Sequence, residues 1–239
     1  MKDYSSMTEI LRLDYNEHVS LIGTAHFTRR SINEAIEATE SSKPKDIGIE
    51  LDWKRYRHLN EACVGCPKSG SCKGLCEFTG ATNALGNTDA NIWLLDMTED
   101  EMNKRMERMT PPYIKPRMTS MMRQIPNVNP VRLWEMGYKE AVVDYSEKQM
   151  EKLRSMAPWI PRVLIDERNA LMAARLAWVV SKKMDEGDES KVLAFVGAAH
   201  VKGIRELLSD LLQIKMRLQQ LCLSFAEPRL IRRVAVQET

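Results

Sequence analysis

Residues 192–200 read Val-Leu-Ala-Phe-Val-Gly-Ala-Ala-His, an apolar run that ends in a glycine, two small residues and a histidine. A near repeat lies at the other end of the chain, where residues 18–22 lead into Gly-Thr-Ala-His at positions 23–26. A β-rich run that stops at a glycine is typical of a buried strand at its carboxyl end, where open α/β sheets bind their ligands. The two phrases therefore predict that His26 and His200 converge on one site.

Strand and helix signals alternate along the rest of the chain. The strand signals cover residues 19–23, 46–51, 92–95, 192–196 and, as a last edge-like strand, 229–236. The helical signals cover residues 32–39 after a Ser31 cap, a stretch from a Thr98 cap to about residue 109, and residues 131–138, 147–156, 161–184 and 201 into the 220s. Strands that alternate with helices need crossover connections, so we expect an α/β fold with a mostly parallel central sheet flanked by helices.

Two segments interrupt this alternation. Residues 63–87, after the second strand, are rich in cysteine and glycine, and residues 110–130 contain five prolines. Prolines at that density favour an extended or turn-rich link with at most one short helix. Because 239 residues are enough for one sizeable α/β domain, we expect a single domain over residues 1–239, with a Cys-rich insert at 63–87 and a Pro-rich excursion at 110–130.

The charges of the chain nearly balance. There are 35 Lys and Arg against 33 Asp and Glu, a formal net charge of +2, which gives no electrostatic reason to expect a nucleic-acid partner. No secretory signal is visible, and no apolar run approaches the ~18–20 residues that span a bilayer. We therefore expect a cytoplasmic protein that binds no nucleic acid and has no membrane span in this chain.

Polar residues follow the predicted strands at positions His26, Glu50, Asp96 and His200. Two neutral imidazoles and a carboxylate form a good ligand set for a divalent transition metal, so His26, His200 and Glu50 are candidate metal ligands. Such an ion lowers the pKa of bound water to roughly 7, and a carboxylate left off the metal can act as a general base. The alternative is that each histidine is only a hydrogen-bonded structural group.

The predicted long helix carries the charged phrase Asp166-Glu167-Arg168-Asn169. Adjacent helical residues point about 100° apart, so Glu167 and Arg168 cannot both face one neighbour squarely. The helix is otherwise apolar, and charges on a largely buried helix tend to have partners. The pair is a candidate for a role in the pocket, and the alternative is that both are surface charges.

Four cysteines fall within fourteen positions, spaced Cys63-x₂-Cys66-x₅-Cys72-x₃-Cys76. Thiols this close together can surround one zinc ion or one [4Fe–4S] cluster, although the x₅ and x₃ gaps match no standard zinc finger. Disulfides are a third option, which a cytosolic location disfavours. We expect a metal or cluster module near the rim of the proposed pocket, acting as a lid, a partner-binding element or a redox sensor.

Four phrases in order along the chain resemble the TraB/PrgY family of pheromone-shutdown proteins, whose relatives include the Tiki proteases. They are Leu-Ile-Gly-Thr-Ala-His at 21–26, Ile-Glu-Leu at 49–51, Asp-Glu-Arg at 166–168 and Val-Gly-Ala-Ala-His-Val-Lys-Gly-Ile at 196–204. The resemblance spans roughly residues 19–204. It implies an α/β fold with a metal-dependent hydrolytic site, and peptides or proteins as a substrate class.

Carried over by position, the resemblance makes His26 and His200 the histidines of the metal site and Glu50 the strand-end glutamate. Glu167 and Arg168 correspond to the Glu-Arg pair of the family. This chain departs from the family at Asn169, where an aspartate is common. Many prokaryotic members also carry C-terminal membrane spans, and no apolar run of that length is visible here.

Two hypotheses of function follow. In the first, the protein is a metal-dependent hydrolase, specifically a peptidase: His26 and His200 bind the ion, Glu50 binds it or activates water, and Arg168 stabilises the developing oxyanion. In the second, it is a non-catalytic regulatory or partner-binding protein whose cysteine module holds zinc or an iron–sulfur cluster. The missing negative charge at Asn169 favours the second.

Overall fold

The computed structural model describes residues 14–26, 28–63, 77–86, 89–114 and 130–232. Its centre is a sheet of five strands, which are β1 (Val19–Thr24), β2 (Asp46–Ile49), β3 (Asn91–Leu94), β4 (Val192–Gly197) and β5 (Arg229–Arg232). The strand order is β1-β4-β2-β3-β5. Only β5, at one edge, runs antiparallel to its neighbour. The predicted mostly parallel sheet is therefore confirmed.

Helices surround the sheet. They are α1 (Arg29–Ser42), α2 (Trp53–Cys63), α3 (Glu77–Ala84), α4 (Glu99–Met109), α5 (Pro130–Glu135), α6 (Lys139–Met156), α7 (Arg168–Asp185), α8 (Ala198–Leu208) and α9 (Leu211–Gln220). A 3-10 turn, Tyr15–His18, precedes β1. A helical turn, Trp159–Pro161, and a π-helix, Arg162–Glu167, lead into α7.

Both faces of the sheet are covered, as is usual for parallel strands. Every residue of β4 is buried. Successive strand side chains point to opposite faces, and accordingly Ala194 and Val196 pack into a cluster with residues of α7 and α8, whereas Phe195 packs with residues of α1 and α3. The covered faces leave the carboxyl edge of the sheet as the place where polar side chains collect.

The start of α1 differs from its prediction. Thr28, and not Ser31, is the N-cap, because the Thr28 hydroxyl accepts a hydrogen bond from the Ser31 backbone N–H. The Ser31 hydroxyl instead accepts from the backbone N–H of Ala25, in the loop after β1. Ser31 therefore ties the helix to that loop. The predicted cap at Thr98 is confirmed, since its hydroxyl accepts from the Glu101 backbone N–H.

Three further predictions need correction. Residues 77–84, assigned to the insert, form α3, whose Gly80 lies against α1: a Cβ there would be 3.2 Å from Ile32 Cγ2. The helix expected from 201 into the 220s is two helices, because Asp210 caps α9 by accepting from Leu212 N–H. The helix expected over 161–184 is interrupted by the π-helix.

Other predictions fall outside the part of the chain that the structure describes. These concern residues 64–76 and 87 of the Cys-rich insert, 115–129 of the Pro-rich excursion, and 233–236 of the last strand. The single-domain prediction stays a prediction. Among the described helices, none is both long and apolar enough to cross a membrane.

Candidate functional site

The carboxyl edge of the sheet brings three predicted residues together. β1 and β4 run side by side with Thr24 opposite Gly197, so His26, just after β1, lies beside the first turn of α8, which carries His200. Glu50 follows β2 on the other side of β4. Its Oε1 atom lies 3.8 Å from His26 Nε2 and 3.5 Å from His200 Nε2. Both imidazoles therefore face the same carboxylate oxygen.

Glu50 is almost fully buried and fixed at both oxygens. Its Oε2 atom accepts a hydrogen bond from the Gly197 backbone N–H at 2.5 Å, and its Oε1 atom accepts from Arg168 Nη2. A Cβ at Gly197 would lie only 3.0 Å from His26 Nε2 and 3.3 Å from Glu50 Oε2. The glycine of the second Gly-x-x-His phrase thus makes room for the side chains of the site.

His26 is held by the first two residues of α3. Its Nδ1 atom lies 2.5 Å from Glu77 Oε1, and the ring of Phe78 is tilted against the imidazole with centroids 5.6 Å apart. Thr24 donates its hydroxyl to the same Glu77 oxygen at 2.7 Å. The His26 side chain is 39% exposed whereas Glu77 is fully buried, so the site opens to solvent on the His26 side.

Burial and charge act against each other at this pair. Burial alone would lower the pKa of His26, but the Glu77 hydrogen bond and the charges of Glu50 and Glu77 outweigh it and raise that pKa. Burial would likewise raise the pKa of Glu77, but the hydrogen bond and charge of His26 lower it. Both effects favour an ionised Glu77 beside a ring that carries hydrogen at Nδ1.

His200 is held differently. Its Nδ1 atom lies 2.6 Å from Asn169 Oδ1, a neutral partner, and its side chain is only 4% exposed. An amide oxygen can only accept a hydrogen bond, so this contact places the ring hydrogen on Nδ1 and leaves the Nε2 lone pair toward Glu50. Burial lowers the pKa of His200, and the opposing charge of Glu50 does not offset it.

Arg168 closes the site on the α7 side. It donates to Asp96 from Nε at 2.9 Å and from Nη2 at 2.8 Å, as well as to Glu50. Asp96 also accepts from Arg55 Nη2 at 2.5 Å. Burial opposes ionisation of Asp96, but the two guanidinium groups outweigh it and lower its pKa to about 2. The carboxylates of Glu50 and Asp96 raise the pKa of Arg168 in spite of its burial.

Glu167 points away from this cluster. Its carboxylate accepts from Arg105 Nε at 2.5 Å and from Arg162 Nε at 3.3 Å, and it is fully buried. No contact with His26, Glu50 or His200 is seen for it within the described residues. Since Glu167 and Arg168 are neighbours on a helix, only one of them faces the site. The catalytic role expected of Glu167 stays a prediction, and its contacts are those of a residue that ties α4 to the π-helix.

The cysteine module falls outside the described residues: Cys66, Cys72 and Cys76 are not described, and of Cys63 only the backbone is, as the last residue of α2. Whether the module holds zinc or an iron–sulfur cluster, or forms disulfides, stays a prediction. Cys222, in the turn after α9, is described and exposed.

The donor set at the sheet edge fits a divalent ion in two respects. Each imidazole has its Nδ1 atom engaged, which is how metal-binding histidines are oriented. Ligands about 2.1 Å from a tetrahedral ion stand about 3.4 Å apart, close to the observed separations of 3.8 and 3.5 Å from Glu50 Oε1. In the described part of the chain, however, no group of three or more His, Cys, Asp and Glu is assembled for a metal as it stands, and Arg168 shares the Glu50 oxygen.

Three contributors were not found from the sequence: Glu77 beside His26, Asn169 beside His200, and Arg55 beside Asp96. Glu77 lies in the segment assigned to the insert. Its signal was a lone acidic residue at the head of the otherwise uncharged stretch Glu-Phe-Thr-Gly-Ala-Thr-Asn-Ala, residues 77–84. Such a residue is costly to bury without a partner, which points to a specific contact.

Comparison with known proteins defines the class. The sequence profile of the TraB/PrgY/gumN family matches residues 78–220, and the chain belongs to this family. The matched range includes Arg168 and His200 and begins after His26 and Glu50.

One relative adds to this result. The chain is 28% identical over 222 residues to the uncharacterized protein MJ1365 of Methanocaldococcus jannaschii, which covers 81% of this chain and 54% of the relative. The chain thus spans about half the length of this relative. No solved structure matches the chain.

Proposed function

We propose that this chain is a metal-dependent hydrolase that acts on peptides, and that His26, His200 and Glu50 hold its divalent ion. One observation carries the proposal: two imidazoles from opposite ends of the chain have Nδ1 engaged and turn Nε2 toward one oxygen, at 3.8 and 3.5 Å. Two neutral nitrogen donors and a carboxylate are a common ligand set for a catalytic zinc ion. The peptide substrate class rests on the resemblance to the Tiki proteases.

Charge at the site also supports a cation. Glu50, Asp52, Glu77 and Asp96 are all buried. Among the described residues two guanidinium groups, those of Arg55 and Arg168, hydrogen bond to the carboxylates, and a third, that of Arg175, donates to the Asp96 backbone carbonyl. Glu77 receives none of these guanidinium groups; its partners are His26 and Thr24. A buried excess of negative charge is costly. A bound divalent ion, or a proton on His26, compensates it.

The residues of the chain have separable roles in this proposal. A divalent ion held here lowers the pKa of bound water and polarises a carbonyl. Gly197 N–H and Arg168 fix the orientation of Glu50, which either completes the ligand set or accepts a proton from water. Arg168 also donates Nη1 to the Leu164 carbonyl at 3.2 Å. No partner of the second Nη1 hydrogen is seen among the described residues, and in this proposal that hydrogen stabilises negative charge on a substrate oxygen.

The experiment measures metal content, metal affinity and peptide cleavage for the wild type, His26→Ala and His200→Ala. His58→Ala is the matched control, because His58 is an exposed surface residue on α2. We expect either site variant to lose the ion and to reduce cleavage by about 1,000-fold or more, since a catalytic ion supplies several kcal/mol to the transition state. A wild type that neither binds divalent ions at this site nor cleaves peptides overturns the proposal.

One observation favours the second candidate, a non-catalytic partner-binding protein of the same family. Arg168 forms an ion pair with the Glu50 oxygen that both histidines face, and an ion pair of this kind satisfies Glu50 without a metal. In that case His26→Ala and His200→Ala reduce the stability of the protein, and no hydrolysis is lost because none exists.

A further inference from the structure

Two glutamates in the described part of the chain are completely buried, and they differ in their partners. Glu167 is neutralised by Arg105 and Arg162. Glu77 forms no ion pair with any described lysine or arginine; its partners are the Thr24 hydroxyl and His26 Nδ1. Its second oxygen, Oε2, is buried with no hydrogen-bond partner in the described part of the chain. Among the described residues, His26 is therefore the one partner of Glu77 that can carry a positive charge.

The elements around Glu77 hold it firmly against the histidine. Glu77 and Phe78 open α3, and one contacts Nδ1 of His26 while the other lies against its ring face. α3 packs on α1 through Gly80, and the buried residues of both helices join one core cluster. Thr24, the last residue of β1, donates to the Glu77 oxygen that meets His26. A strand end and a helix start thus fix one carboxylate beside one imidazole.

We propose that Glu77 is the positioning residue of His26: it holds the ring hydrogen on Nδ1 and turns the Nε2 lone pair toward Glu50. This inference rests on the proposed function, in which that lone pair binds the ion. A carboxylate behind a ligating imidazole fixes the tautomer and the ring orientation and makes the ligand more basic. At His200 the partner is the neutral amide of Asn169, which fixes the tautomer but carries no negative charge to make the ligand more basic.

The test compares Glu77→Leu with Asp46→Leu, two changes that each remove a buried carboxylate. Asp46 lies at the start of β2, at the opposite end of that strand from Glu50. Leu cannot accept a hydrogen bond, whereas the amide oxygen of Gln would still hold hydrogen on Nδ1, as Asn169 does at His200. One readout is the His26 tautomer of the metal-free protein, from ¹⁵N NMR at a fixed alkaline pH where the ring is neutral. The other is Zn²⁺ affinity from competition with a chelator. We expect Glu77→Leu to reduce the Nδ1–H population and to weaken Zn²⁺ binding by about 10–100-fold. Asp46→Leu should leave both readouts within twofold of the wild type.

A second pair of variants covers the case in which Glu77→Leu does not fold. Thr24→Val removes the hydroxyl that supports Glu77 and keeps the side-chain shape, whereas Thr24→Ser keeps the hydroxyl. We expect Val to shift the tautomer in the same direction and Ser to leave it unchanged. An unchanged His26 tautomer in folded Glu77→Leu, or in Thr24→Val, overturns the inference.

The two proposals fail in different ways. If the wild type binds no Zn²⁺ at this site, the proposed function fails, and the tautomer of the metal-free protein still decides the role of Glu77. If the wild type binds Zn²⁺ and Glu77→Leu changes neither its affinity nor the tautomer, the role of Glu77 fails and the metal site stands.

Discussion

The two histidines of the site reach the same oxygen from differently built surroundings. His26 follows β1 on a loop, is 39% exposed, and has the carboxylate of Glu77 at its Nδ1 atom. His200 lies in the first turn of α8, is 4% exposed, and has the neutral amide of Asn169 at its Nδ1 atom. The nearby carboxylates raise the pKa of His26, and burial lowers the pKa of His200.

The difference shows that the near repeat in the sequence does not extend to the surroundings of the two rings. His26 has a charged partner and stands at the opening of the site. His200 is buried, and burial lowers the pKa of its ring. Glu50 and Arg168 serve both rings, so changes at those two residues should affect both histidines, whereas changes at Glu77 or Asn169 should affect one.

The largest effect is expected at Arg168, because it contacts Glu50, the carboxylate that both histidines face. Arg168→Ala removes the guanidinium group from Glu50 and Asp96, both buried. Breaking a buried ion pair from one side costs about 3–5 kcal/mol, so the free energy of unfolding in urea should fall by that amount. Arg162→Ala is the control: that side chain is 40% exposed and lies on Glu167, and about 1 kcal/mol is expected. Equal losses for the two variants would contradict the shared role of Arg168.

A smaller effect concerns the stability in acid that Asp96, the second carboxylate paired with Arg168, gives to the fold. The pKa of Asp96 is lowered to about 2 in the folded protein, so its ionised form stabilises the fold above the unfolded-state pKa of about 3.9. That contribution, of order 2 kcal/mol, should be lost as the pH falls from about 4 to about 2. Asp96→Asn should flatten this part of the stability curve in thermal unfolding. Asp100→Asn, at a side chain that is 70% exposed, should not, and a curve that Asp96→Asn leaves unchanged would refute this assignment.

The smallest effect is expected from a change that makes the surroundings of the two histidines alike. Asn169→Asp gives His200 a carboxylate at Nδ1, like the one His26 has in Glu77. We expect the pKa of His200 to rise, because a negative neighbour favours the protonated ring, and Zn²⁺ affinity to increase by about tenfold. NMR titration of His200 and chelator competition measure the two effects. If Asn169→Asp raises the pKa of His26 instead of the pKa of His200, the two partners have been assigned to the wrong rings.

Much of the sheet could be predicted because strands buried on both faces are nearly continuous apolar runs in the sequence. β4 is an unbroken apolar run ending at Gly197, and parallel order places its end beside that of β1. The spatial meeting of His26, Glu50 and His200 follows from this order, since each lies at or just beyond the end of a parallel strand. Their roles as ligands and catalytic groups stay predictions.

The rest depends on contacts that local sequence does not encode. α3 has a weak helical pattern and is held by burial against α1, so Glu77 could not be placed. Which of Glu167 and Arg168 faces the site depends on the turn angle of the π-helix before them. The first residue of α1 was misplaced because Ser31, a good cap by type, is used to hold the Ala25 loop.

The central claim is that both imidazoles bind one ion beside Glu50. It is tested most directly by X-ray absorption spectroscopy of protein loaded with one equivalent of Zn²⁺ after its cysteines have been alkylated. The account predicts two imidazole ligands on the ion, and loss of binding in both His26→Ala and His200→Ala. An ion with one imidazole ligand or none, or one that both variants retain, would contradict it.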